Sequence, residues 1–266
     1  MPLPRRYWHE MTTLDFRASE TSEWIAVLPV AAIEQHGPHL PVYTDTCIAE
    51  GMIRRVIELL PEDLPVTFLP VLPVGKSNEH ISSPGTLTTS WETATKLWLD
   101  IGDSVYRAGV EKLIVINSHG GNVPMVDIVA RELRVRHGML VVATAWSRLG
   151  HPDGIPGEAE AAYGIHGGEV ETSLMLHLRP DLVRMADAQD FRSTQLDFMG
   201  EFKHLRAHGP VQFGWKAQDL NPHGTVGNAR LASAEKGQAV LDHQASAFVE
   251  LCRDVDRFDT ARLWKP

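Results

Sequence analysis

Lys112-Leu-Ile-Val-Ile-Asn117, then Ser118-His-Gly-Gly-Asn122, then a run in which Met125, Ile128, Val129 and Leu133 recur at helical spacing up to Gly138, is the stretch on which the fold turns. The apolar hexamer reads as the clearest strand in the chain. The periodicity over 122–137 marks a helix, and Gly138 supplies the left-handed residue that stops it. Leu140-Val-Val-Ala-Thr-Ala145 reads as the next strand. A strand, a helix and a strand at these lengths imply a right-handed crossover between parallel strands.

The alternation continues outward. Ile25-Ala-Val-Leu-Pro-Val-Ala-Ala-Ile33 is apolar at consecutive positions, as a strand covered on both faces should be, while Pro29 marks an edge or a bulge. From Asp45 to Leu60, residues Ile48, Met52, Ile53, Val56, Ile57 and Leu60 form a helical stripe that ends before Pro61. Val66 to Val74 reads as a strand interrupted by prolines, and Ser90 to Arg107 as a helix capped by Ser90. Beyond a Gly/Pro-rich loop to about residue 164, a helix is expected over roughly 168–178 and a long closing helix from Ala232 to about Arg257, with a poorly periodic region over 180–232. The expected fold is α/β, a three-layer α/β/α sandwich on a mainly parallel sheet. No repeat or linker divides it, so residues 1–266 are read as one domain.

A chain of 266 residues can bury roughly three quarters of its unfolded surface, enough to enclose an active-site cavity. A net charge of −9 without any basic stripe argues against a nucleic-acid partner. Cys47 and Cys252 are too few for a disulfide framework and read as buried thiols. Met1-Pro-Leu-Pro-Arg-Arg6 leads into Tyr7-Trp-His-Glu10 rather than an apolar core, so no secretory signal is read there. Apolar runs fall short of the ~18 residues of a membrane span. The expected setting is cytoplasmic, without nucleic-acid or membrane partners.

Chemistry gathers where the apolar runs stop. Ala31-Ala-Ile-Glu-Gln-His-Gly-Pro-His-Leu-Pro-Val-Tyr-Thr-Asp45 follows the first strand, Asn117-Ser-His-Gly-Gly-Asn122 follows the third, and His166-Gly-Gly-Glu-Val-Glu-Thr172 opens a helix. Ligands collect at the carboxyl ends of strands in open parallel sheets. Glu34 and His36, two apart on extended backbone, can face one cavity, while Asp45 returns to the same edge and His119 joins from the neighbouring strand. Such carboxylate and imidazole donors suit a pair of divalent ions, zinc, manganese or iron, with Asp45 as candidate bridge. Each residue also has a plainer use: Asp45 as a helix cap, His36 as a hydrogen-bonded loop histidine, Glu169 and Glu171 as acids complementing a helix dipole. Coincidence of four donors at two adjacent strand ends favours the metal. Glu169 and Glu171 are two apart on a helix and cannot share a face, so one reaches the metals and the other does not.

These motifs, with Pro84-Gly-Thr86, Gly224-Thr-Val-Gly-Asn228 and Ala234-Glu-Lys-Gly237, resemble the creatininase family over about residues 23–245. The resemblance implies a two-metal centre hydrolysing a non-peptide carbon–nitrogen bond, often in a small cyclic amide, and a homo-oligomer, commonly a hexamer. It implies one metal on Glu34, Asp45 and His119, and the other on His36, Asp45 and a further glutamate. Creatininase carries a tyrosine and a metal-binding glutamate where Gly120 and Gly121 stand, an acid where Ile165 stands, and an apolar residue at Glu169. Glu169 is therefore read as the replacement ligand, with His166 and Glu171 catalytic, and creatinine is not expected as substrate. His166 has two possible uses, protonation of the leaving nitrogen and orientation of a neighbour. Ser77, Glu79, His80 and Gly120 are read as lining the substrate pocket, and Trp146 as stacking on a planar ring or simply packing. The rivals are a two-metal enzyme of lactones or short peptides, and a non-catalytic α/β binding module, which the missing Gly-x-Gly-x-x-Gly disfavours.

Overall fold

The computed structural model describes residues 3–264. Met1 and Pro2 of the charged start, and the last two residues of the expected 1–266 domain, lie outside them. Among the described residues, nine α-helices and six strands follow in chain order: α1 (Thr13–Ala18), β1 (Ile25–Val30), α2 (Thr44–Leu59), β2 (Val66–Phe68), α3 (Trp91–Arg107), β3 (Lys112–Asn117), α4 (Val123–His137), β4 (Leu140–Ala145), α5 (Glu158–Tyr163), α6 (Glu169–Leu178), β5 (Asp190–Phe191), α7 (Gln195–Glu201), α8 (Ala217–Leu220), β6 (Gly227–Asn228) and α9 (Ala234–Arg257).

The main sheet is four-stranded and parallel, in the order β2-β1-β3-β4. Alternating side chains of β1 and β3 feed two cores. Ile25, Val27, Ile114 and Ile116 meet α2, α6 and α9 through Met52, Leu174 and Phe248. Ala26, Leu28, Leu113 and Val115 meet α3 and α4 through Trp98 and Leu133. Helices therefore cover both faces, as expected. Burying a side chain the size of Phe248 contributes roughly 1.5–3 kcal/mol, so these faces hold the layers together. Ser90 caps α3 by accepting from the Thr93 amide at 3.2 Å, and Gly138 ends α4 with φ of 75°.

Pro29 departs from expectation, because β1 is central rather than at an edge. Val27 accepts from the Leu69 amide at 2.9 Å and Pro29 from the Leu72 amide at 3.0 Å, so three residues of the neighbour span two of β1. The bulge thus lies on the neighbouring chain, and the missing amide of Pro29 faces it. β2 stops at Phe68, well short of Val74, with only an isolated bridge between Val30 and Leu72 beyond it. Pro70 and Pro73 cannot donate to a ladder.

Within the poorly periodic stretch 180–232, β5 and β6 form an antiparallel ribbon, and α7 and α8 add short helices. Both cysteines are free and buried. No helix among the described residues is long and apolar enough to cross a membrane.

Strand order 2-1-3-4 means the chain leaves β1 on one side and returns on the other. The crevice between the carboxyl ends of β1 and β3 is the switch point where such sheets hold ligands. Val30, Asn117 and Ala145 lie in register, so whatever follows each strand emerges at one level.

Candidate metal centre

Glu34 and His36 follow β1, His119 follows β3, and Asp45 occupies the first turn of α2; all four are buried. Asp45 is not the cap of α2, since Tyr43 holds that place without a side-chain bond. Instead its two oxygens face different partners. Oδ1 lies 3.3 Å from His36 Nε2, and Oδ2 lies 3.4 Å from His119 Nδ1. His119 Nδ1 is also 3.1 Å from Glu34 Oε1, and His36 Nε2 is 3.8 Å from Glu171 Oε2. Four three-donor groups result: Glu34/Asp45/His119 and His36/Asp45/Glu171 are joined at Asp45, and Glu34/His36/His166 and Glu34/Glu79/His80 at Glu34.

Three observations fit these groups to cations. Donors of a tetrahedral site with bonds near 2.0–2.1 Å sit about 3.3–3.4 Å apart, close to the spacings seen here. Both oxygens of Glu34, Asp45 Oδ2 and His36 Nε2 are buried without a hydrogen-bond partner, an arrangement too costly to leave uncompensated. Both imidazoles are also turned with a lone pair inward. His36 Nδ1 donates to the Glu34 carbonyl at 3.0 Å, and His119 Nε2 to the Lys76 carbonyl at 2.9 Å.

Charge follows from this crowding. Burial alone would depress His36, but Asp45, Glu171 and Glu34 outweigh it and carry the ring to about 10. Burial likewise opposes and Glu34 and Asp45 overcome it at His119, which rises well above its ordinary value. Burial raises the Glu171 carboxyl to about 7 against the pull of the His36 cation. Protons thus hold the place of cations among the anionic donors.

His166 packs between His36 and His80 in tilted contacts, with ring centroids 4.1 and 4.3 Å away. Burial, then His36 and His80, push it well below the ordinary value, so it is neutral. Its Nε2 donates to the Gln35 carbonyl at 2.7 Å, leaving Nδ1 unprotonated and 3.6 Å from Glu34 Oε1. Gln35 was not singled out by sequence. Its amide donates to His80 Nδ1 at 2.7 Å, so the opposite nitrogen of His80 carries the proton 3.5 Å from Glu34 Oε1.

Glu169 is not brought to the group. It is buried against Lys236, whose ammonium binds its Oε1, and it belongs to none of the donor groups. Ser77 and His80 do not line the cavity over the centre. Ser77 Oγ lies 3.3 Å from His119 Nε2, and Glu79 Oε1 lies 3.4 Å from the same nitrogen, behind the ring. His39 bonds the Gly167 carbonyl at 3.0 Å and stacks on Phe191.

The cavity itself has a volume of about 450 Å³ and is lined by His119, His166 and Glu171 at the centre and by Gly120, Trp146 and Arg148 around it. Trp146 is 3 % exposed and packs against Phe248 at 5.1 Å, so the packing use of this residue prevails over stacking. A side chain at Gly121 would collide with Glu79, His119 and the Lys76 carbonyl, whereas Gly120 faces open space.

Glu160 was also missed. Its oxygens accept from the Glu169 and Asn228 amides, each at 2.7 Å. A Cβ on Gly164, Gly168 or Gly227 would strike it. Glu160 therefore ties the first residue of α6, two before Glu171, to the 225–228 loop, and only its glycine-rich surroundings signalled it in sequence.

A family model described as creatinine amidohydrolase matches residues 9–252. A mycofactocin precursor peptide peptidase of Mycobacterium tuberculosis is 35 % identical over 164 residues, 59 % of this chain and 60 % of that protein, so the match spans under two thirds of that relative's length. A creatinine amidohydrolase of Pseudomonas putida is 28 % identical over 262 residues, 92 % of this chain and 95 % of that enzyme. Among solved structures, a creatininase described with Mn is 26 % identical, with a TM-score of 0.73 over 94 % of this chain and 98 % of its own.

Proposed function

The chain belongs to the creatininase family, and from that premise we propose that it is a metal-dependent amidohydrolase holding two divalent cations, manganese or zinc, and cleaving a peptide-like amide. The observation that carries this reading is Asp45, whose two oxygens each face one three-donor group. Glu34, Asp45 and His119 are assigned to one cation, and His36, Asp45 and Glu171 to the other. Glu171 thus takes the ligand role first given to Glu169, because the ion pair with Lys236 occupies Glu169. When bound, such cations acidify a water and polarise a carbonyl oxygen.

The remaining steps belong to side chains. His166, neutral and with Nδ1 free toward the centre, takes the proton shed by water and passes it to the leaving nitrogen. The Gln35 carbonyl and the His80 ring hold His166 in place, and His80, itself bonded by the Gln35 side-chain amide, faces Glu34. Two features favour a peptide-like amide over a small ring. The 35 % identical relative is described as a peptide peptidase, and Gly120 leaves open a cavity of about 450 Å³. The compact cyclic amide stays as the second reading, favoured by the creatinine amidohydrolase description of the family.

Manganese-loaded protein is expected to release amine from short peptides or cyclic amides, and chelation to abolish it. Undiminished turnover in metal-stripped protein would sink the proposal. Assembly as a homo-oligomer is also proposed, because Ile81, Leu87 and Trp91 lie 59 %, 55 % and 53 % exposed within one short segment. A monomer mass in light scattering would refute it.

A further inference from the structure

The centre occupies only part of the cavity. Beyond it, the turn after β4 carries Arg148 into the lining. Ala145 pairs with Asn117, so this turn emerges one strand away from His119 and at the same level. Arg148 is the only arginine or lysine lining the cavity among the described residues.

The two carboxylates sharing that lining are both engaged. Glu171 belongs to the donor cluster, and both oxygens of Glu160 are held by backbone amides. Asp127, which shares a small neighbouring hollow with Arg148, makes no ion pair with it. With cations neutralising the cluster, Arg148 is left as an uncompensated positive charge inside a chain of net −9.

We propose that Arg148 receives a carboxylate of the substrate, so that the cavity selects amides bearing a free acid beside the scissile bond. This rests on the amidohydrolase reading and adds the substrate's charge to it. A guanidinium offers two parallel donors that match a carboxylate, and a charge-assisted pair of this kind discriminates by about ten-fold or more against a neutral isostere. The carboxylate can come from a peptide terminus or from an acidic side chain.

Three peptides separate these sources: N-acetyl-Ala-Ala as the free acid, the same peptide as its amide, and N-acetyl-Ala-Asp amide. Each is offered to manganese-loaded wild type, Arg148→Ala and Arg148→Lys, with KM taken where cleavage occurs and Kd by calorimetry where it does not. Arg148 is exposed, so both variants should fold. The wild type is expected to favour the free acid over its amide by about ten-fold or more, Arg148→Ala to erase the preference, and Arg148→Lys to keep part of it. An aspartyl amide matching the free acid assigns the preference to any carboxylate, and a weaker one assigns it to the main-chain terminus; either supports the proposal. A wild-type ratio near one, a ratio unchanged in Arg148→Ala, or no binding of any peptide overturns it. Preference without cleavage would instead remove the amidohydrolase reading and leave the carboxylate seat standing.

Discussion

The two halves of the centre are delivered in different ways. Glu34, His36 and His119 rise from the ends of β1 and β3, whose pairing from Ile25↔Lys112 to Val30↔Asn117 fixes where each residue emerges. Glu171 and His166 come from a glycine-rich loop and the start of α6, where an isolated antiparallel bridge between His166 and Val226 is all that stands in for a ladder. That half is fastened by Glu160 on the Glu169 and Asn228 amides, and by Thr225 Oγ1 on the His166 carbonyl at 2.6 Å. Strand-borne donors inherit their positions from the fold. Loop-borne donors need fasteners of their own, and their positions are the easier to disturb.

The strongest way to break the contrast is at Asp45 of α2, the residue the two cation groups share. Asp45→Asn should lose both cations and lower kcat/KM by on the order of 10³-fold; full metal content by elemental analysis would end the bridging assignment. Next comes the pair of glutamates in one turn. Glu171→Gln should lose one cation of the two, while Glu169→Gln keeps both and, by breaking the pair with Lys236, costs roughly 1–3 kcal/mol in urea unfolding. The reverse pattern in the metal contents would return the ligand role to Glu169.

A fastener should act on one half alone. Glu160→Gln keeps the shape but replaces one acceptor with a donor facing an amide, and is expected to weaken the second cation by about 10–100-fold with the first unchanged. Equal losses at both cations in a competition titration would show Glu160 to be a general support. A further effect is that of pH on metal-free protein. His36 rises in the folded state from 6.5 to about 10, so its stabilisation is complete below 6.5 and is lost as pH climbs toward 10. Tm should fall across that window and fall less after manganese loading, which displaces the proton. A metal-free Tm that rises there would contradict the assigned charge.

The same contrast accounts for what was legible in residue types. Consecutive apolar runs and stripes of three-and-four spacing announced the sheet and its covering helices, because burial on two faces leaves that mark on local sequence. Glu34, His36, Asp45 and His119 were visible as donors since strand ends bring them together without further assumption. Pro29 misled in part, because the bulge that tolerates it belongs to a neighbour some 40 residues later in the chain. Glu169 and Glu171 were told apart as pointing to different sides, but only Lys236, distant in sequence, decides which side each takes. Glu160, Gln35 and Arg148 went unassigned for a like reason: a carboxylate bound to main-chain amides, an amide between two rings and a lone guanidinium have no spacing rule.

The ring nitrogens of His36 and His119 that point away from the centre are anchored on the carbonyls of Glu34 and Lys76. A carbonyl is supplied by every amino acid, so no exchange of side chains at those anchoring positions can remove the acceptor. The wall facing the substrate can therefore be rewritten residue by residue while the imidazoles keep their aim, and one reactive core can be passed among enzymes with dissimilar appetites.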